Sequence, residues 1–412
     1  MMRMRNKLGI PLLAAFFIFA APVASHADNL FRLFPELQLN GFYGDNIPLR
    51  ASNTQGDWGL TGVVGFYLDY TSAARYASLH WDTFAQLFLQ NSRFDRAGQG
   101  QYVNVTDDEK LSSTTHLRID DFFYRDAPTE VAITTSDQAP AFNTTLAQLI
   151  LANDQATVNR FNIVLSHLWG NHWTSEVGLH QTTFWGTNNN SNGTSNSTYV
   201  QSFNASSDYH FSERFSLGAG YRYQDFQFTF PGRPDAMSHW PYAKIMLVPY
   251  RNLYLSGIMG AVISHTQGTS SEQVNPAGLG LLEYRFHHAK FNLYGGQEPT
   301  LTSALTGVGI IRGVRGNLFY EFTRRVTGNA GAGFYQSLGS DFNGQLISWG
   351  VGVGDRLNRN VSIYAKFVQI RVNETTANQF LPSGFKNGKE EVGNYFVVGF
   401  NASIEAFRWS WQ

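Results

Sequence analysis

Apolar and polar positions alternate along most of the chain. From Tyr76 to Gln90 one set reads Ala77, Leu79, Trp81, Thr83, Ala85, Leu87 and Leu89, and the other reads Tyr76, Ser78, His80, Asp82, Phe84, Gln86 and Phe88. Phe215, Leu217, Ala219, Tyr221 and Tyr223 alternate in the same way with Ser216, Gly218, Gly220, Arg222 and Gln224. Near the end Phe396, Val398, Phe400, Ala402, Ile404 and Ala406 form one apolar stripe. Successive Cβ atoms of a strand point to opposite faces, so a period of two predicts strands, whereas a helix repeats every ~3.6 residues.

Short polar turns between aromatic or apolar residues punctuate these segments: Tyr70-TSAAR-Tyr76, Trp169-GNH-Trp173, Phe211-SER-Phe215, Tyr250-RNL-Tyr254, Phe286-HHAK-Phe291, Phe322-TRR-Val326 and Leu357-NRN-Val361. Looser polar stretches, such as NNNSNGTSNS from Asn188, lie between them. Short turns at one rim and long loops at the other predict an all-β, transmembrane, antiparallel up-and-down β-barrel. Strand centres fall near residues 40, 64, 82, 104, 119, 163, 178, 204, 220, 244, 258, 282, 293, 316, 332, 350, 366 and 400. That makes about 18 strands, with 16 as the alternative, and either width leaves an aqueous lumen. Rings beside the short turns suit the lipid–water boundary, where an apolar body and a polar tip are both satisfied. Tyr70, Tyr76, Trp169, Trp173, Phe211, Phe215, Tyr250, Tyr254, Phe286 and Phe291 are therefore expected in a periplasmic girdle.

Composition narrows the setting. Charged residues make up 15%, aromatics 15%, and there are 39 glycines and no cysteine. A soluble domain carries about 25% charged residues. The absence of cysteine excludes disulfides, thiolate metal sites and covalently attached c-type haem, and no cofactor is expected. Arg3, Arg5 and Lys7 precede an apolar run from Leu8 to Val23 and then Ser25-His26-Ala27. This order predicts a signal peptide over 1–27 and a single barrel domain over 28–412. Without the three leader cations the chain is mildly acidic, which gives no reason to expect nucleic acid.

Polar residues on the faces opposite the apolar stripes are candidates for the lumen wall: His80, Asp82, His116, Arg118, Asp120, Arg160, Glu176, His180, Arg222, Arg315, Glu321 and Lys366. Opposed charges there would set a transverse field that sorts solutes, although a polar inner wall is also the default of any such barrel. The longest stretch without alternation, 126–156, holds a short helix candidate from Thr144 to Asn153 and is expected to fold against the wall, into the lumen or over the rim. No nucleophile elbow or H-E-x-x-H motif occurs, so the chain reads as a channel and not as an enzyme.

The stretches FYGDNIPL (from Phe42), ASLHWDTFAQLFLQNSRFDR (from Ala77) and LSSTTHLRIDDFF (from Leu111) give the chain a resemblance to the second β-barrel porin family, which includes barrels encoded with exopolysaccharide operons. The resemblance implies a Gram-negative outer-membrane location and, as a secondary function, assistance in polysaccharide export. It carries over no functional residue. Phe407, Trp409 and Trp411 alternate as the aromatic end that the insertion machinery reads, with Gln412 standing last. The expected partners are outer-membrane lipid, that machinery, and small solutes or polysaccharide, and an oligomer is compatible with the pattern. The leading expectation is a pore for small hydrophilic solutes. The alternative is a barrel within an export or conduit complex, one version of which sheathes a redox partner.

Overall fold

The computed structural model describes residues 29–45, 56–90, 96–125, 156–186, 196–229, 234–268, 272–303, 307–338, 343–374 and 390–411. The first nine strands are β1 (Asn29–Gly44), β2 (Asp57–Thr71), β3 (Arg75–Phe88), β4 (Arg96–Lys110), β5 (Thr115–Arg125), β6 (Ala156–Trp169), β7 (Trp173–Gly186), β8 (Asn196–Ser212) and β9 (Phe215–Phe228). They are followed by β10 (Ala236–Tyr250), β11 (Leu253–Thr266), β12 (Glu272–Arg285), β13 (Ala289–Ser303), β14 (Gly307–Glu321), β15 (Val326–Leu338), β16 (Asn343–Arg356), β17 (Val361–Glu374), β18 (Glu390–Ser403) and β19 (Phe407–Trp411). From β1 to β18 each strand pairs antiparallel with the next, and β1 pairs with β2 on one side and with β18 and β19 on the other, so the sheet closes. Because β18 and β19 form two halves of one stave, the barrel has eighteen staves. Each expected strand centre falls within its own strand. The expected signal peptide over 1–27 and the helix candidate at Thr144–Asn153 lie outside the described residues, as does the loop 126–156 up to Ala156, which opens β6.

The break in the last stave has a local cause. Leu33 pairs with Phe407 and Glu36 with Ser403, so two residues of β1 face three of the partner. Pro35 has no N–H to offer that neighbour. Its carbonyl instead accepts from Ile404 N–H at 3.3 Å, and Leu33 accepts from Ala406 N–H at 2.9 Å. A bulge is where a sheet tolerates proline, and its extra residue reverses the parity of the strand. The apolar stripe expected to run through Ala406 therefore stops at Ile404 and restarts on Phe407 and Trp409.

Closure pairs the backbone of the wall internally, which a bilayer demands. Eight turns of two to four residues join even-numbered strands to odd-numbered ones at a single rim, up to β17. One of them, at Gly170, takes φ 61°, a left-handed conformation that glycine adopts without strain. Leu39, Leu60, Leu179, Met259, Val351 and Val398 stand exposed on the outer face. In water so continuous a belt would drive aggregation, whereas in lipid it is the contact surface. Some polar groups of the outer face are paired with each other. Arg75 donates to both oxygens of Asp107 at 2.8 and 2.9 Å, and Asn159 Nδ2 donates to Asp121 at 2.7 Å.

Candidate functional site: the lumen wall and its narrow point

Arg222 on β9 and Glu298 on β13 mark the interior. Four strand spacings, ~19 Å along the wall, separate their backbones. Their side chains nevertheless approach to 3.8 Å, which only a path across the lumen allows. The ladder register carries this inner face around the wall. Arg222 pairs with Asn204 and Trp240, Ser202 with His180, His180 with Asn162, and Arg160 with Phe122. Asp120, Arg118 and His116 continue it on β5 and Glu176 on β7, with His80 and Asp82 on β3. From Glu298 it runs the other way through Arg315 and Glu321 to Lys366. All twelve sequence-derived lumen candidates stand on this side.

The ten girdle candidates divide. Tyr70, Trp169, Trp173, Phe211, Phe215, Tyr250, Phe286 and Phe291 belong to the outer face, but Tyr76 and Tyr254 do not. Tyr70 pairs with Ala77, so Tyr76, paired with Thr71, points inward, where its hydroxyl meets that of Tyr67. At Tyr250 a bulge in β10 shifts the register. Tyr250 and Leu253 then share the outer face, and Tyr254 turns inward opposite Glu283.

Inner-face glycines open gaps through which residues of alternate strands bond. On β9 a Cβ at Gly218 would overlap Asp208, and one at Gly220 would overlap the ring of Tyr242. Across these gaps Lys244 donates to Asp208 at 2.7 Å and Tyr242 Oη donates to Asn204 at 2.7 Å. Gly399 plays the same part between Tyr364 and Asn40, whose side chains are joined at 2.7 Å. Elsewhere charges pair along the wall. Arg118 donates to Asp120 at 2.8 Å, and Glu283 lies 2.6 Å from Arg285 and 3.0 Å from Lys290.

Around Arg222 the charges are more concentrated. The Arg222 guanidinium lies 5.1 Å from the ring centroid of Trp240, a fully buried side chain, and reaches on toward Glu298. Arg160, from β6, interacts electrostatically with the same carboxylate. Two cations and one anion from three separated strands thus share a small volume. The two guanidinium groups outnumber the one carboxylate there. Sequence reasoning found both arginines and missed Glu298 and Trp240. A signal was present, because Lys290, Asn292, Tyr294 and Glu298 share one parity, but Gly295 and Gly296 interrupt the alternation.

A closed antiparallel cylinder with an apolar outer belt and a polar bore is a transmembrane barrel of the Gram-negative outer-membrane class. No protein-family model matches the chain and no curated protein matches it, so the family resemblance gains no support. Among solved structures the chain is similar to OccK2 (OpdF) of Pseudomonas aeruginosa, crystallised in complex with glucuronate, at 10% identity over 91% of this chain and 98% of that one, with a TM-score of 0.47. It is also similar to the outer membrane protein OpdK of the same organism, at 12% identity over 90% and 99% with a TM-score of 0.45. OpdL of that organism gives 11% over 91% and 99%, again with a TM-score of 0.45. At these values the likeness is one of overall form, and no solute is inferred from it.

Proposed function

We propose that the barrel is a diffusion channel for small hydrophilic solutes across the outer membrane, with Arg160, Arg222 and Glu298 as its charged narrow point. The observation that carries this reading is the approach of Arg222 to Glu298 across an eighteen-stave bore. A barrel this wide has room for water inside, and charge set at its narrowest place acts on every solute that passes. Residues 1–27 serve as the export signal. Both chain ends lie at the rim of short turns, which faces the periplasm, and Phe407, Trp409 and Trp411 present the insertion signal. The experiment is a planar-bilayer recording on the purified barrel. Stable ohmic steps are expected, and a trace that stays closed overturns the reading.

A second reading, passage of sugar chains during polysaccharide export, draws on one feature. Inward rings of Tyr67, His80, Tyr102, Phe122 and Tyr124 succeed one another across β2 to β5 at centroid distances of 6.1, 5.2, 5.4 and 6.3 Å. Sugar faces stack on such rings. Block of the current by oligosaccharides, lost in Tyr102→Ala, would favour it over a general pore.

A further inference from the structure

We propose that Glu36, His80 and Asp82 form a binding site for one divalent transition-metal cation of the zinc type on the lumen wall. Their ligand atoms lie within 4.8 Å of one another. His80 Nε2 stands 3.1 Å from Glu36 Oε2 and 3.1 Å from Asp82 Oδ2. Two ligands bound tetrahedrally at ~2.1 Å to one metal are about 3.4 Å apart, so these spacings come within a few tenths of an ångström of the edges of a zinc coordination tetrahedron.

The alternative is a charged imidazole hydrogen-bonded between two carboxylates, and the geometry disfavours it. Nε2 is buried and, although both carboxylates stand 3.1 Å away, makes no hydrogen bond of normal geometry to either. Asp82 Oδ1 is also buried without a hydrogen-bond partner. A neutral imidazole and two carboxylates carry two negative charges, which a divalent cation neutralises. The three residues make a mixed nitrogen–oxygen set, which selects zinc-like ions over magnesium.

The site depends on the backbone beneath it. Glu36 is on β1, and His80 and Asp82 are two residues apart on β3, so β2 runs between them. There Glu36 and Asp82 both pair with Gly65, where a Cβ would overlap the Asp82 carboxylate. The imidazole is held between Tyr67 and Tyr102, with centroids at 6.1 and 5.2 Å, which limits its rotation. Side chains of all three donors keep partial contact with the bore, so an ion entering the channel can reach them.

Titration calorimetry on the purified full-length barrel in detergent, with zinc chloride as the only ligand, tests this. We expect one equivalent to bind with micromolar affinity. His80→Ala should weaken it at least tenfold, as should Glu36→Gln combined with Asp82→Asn, while magnesium binds at least a hundredfold more weakly. Absence of saturable zinc binding, or equal affinity for the two metals, overturns the proposal. Unchanged affinity in His80→Ala does so too. Heat-modifiable gel migration confirms that each variant is folded. Zinc-edge X-ray absorption on the wild type gives a readout free of substitution: a first shell without an imidazole contribution would also overturn it.

Discussion

Two stretches of the inner wall use glycine to opposite ends. Along β8 to β10, the spaces vacated by Gly218 and Gly220 are filled by the Asp208–Lys244 and Asn204–Tyr242 bonds, which lock three strands together. Along β15 to β17, inner-face glycines recur at Gly331, Gly333, Gly350, Gly352 and Gly354. Asn317 and Asn329 reach over Gly331 and Gly352, but around Gly352 and Gly354 part of the space stays open to the bore, as a recess lined by residues including Phe319, Thr327, Asn329, Tyr364 and Lys366. One residue type stiffens the first wall and widens the lumen beside the second.

The largest effect should come from closing a gap in the first wall. Gly220→Ala places a methyl where the Tyr242 ring lies and breaks its bond to Asn204, at a cost of about 2–3 kcal/mol in urea unfolding from vesicles. Next comes charge at the narrow point. Arg222→Gln should move the anion-to-cation permeability ratio roughly threefold toward cations, read as a reversal potential in a salt gradient. Lys366→Gln, in the recess of the second wall, should shift the ratio in the same direction by less than about half as much, because a wider bore screens its charge. Equal shifts would erase the distinction between the walls. The smallest effect is expected of Gly354→Ala, whose added methyl comes no closer than 3.5 Å to its nearest neighbour, Thr327 Oγ1. Its unfolding free energy should stay within about 0.5 kcal/mol of wild type.

Much of this was readable beforehand, and the reasons for the misses are physical. Alternation is a property of each strand, so the faces of Arg160, His180 and Arg222 followed from parity alone. Tyr76 shows two cues in conflict: its place beside a turn suggested the girdle, while its parity with His80 and Asp82 placed it inside. The register sided with parity. Ala406 was misjudged because it lies in a bulge, where one extra residue inverts the assignments beyond it, whereas Tyr254 follows the unbroken parity of β11 and only the bulge at the end of β10 turns Tyr250 outward. Partnerships across strands were out of reach. Glu36 meets His80 only through the register of β1 and β3 on β2, and Glu298 meets Arg222 only because the sheet curves into a barrel.

The junction of first and last staves has a consequence for assembly. At one end Asp45 accepts from the backbone and side-chain amides of Asn394; at the other, Phe31 and Phe407 meet edge to face. Residues separated by nearly the whole polypeptide must join there. The leading strand therefore waits with a bare ribbon of donors and acceptors until the tail has been delivered. A nascent chain can neither seal itself while it is still emerging nor leave that ribbon unattended, so sheltering it during transit is a requirement written into the architecture.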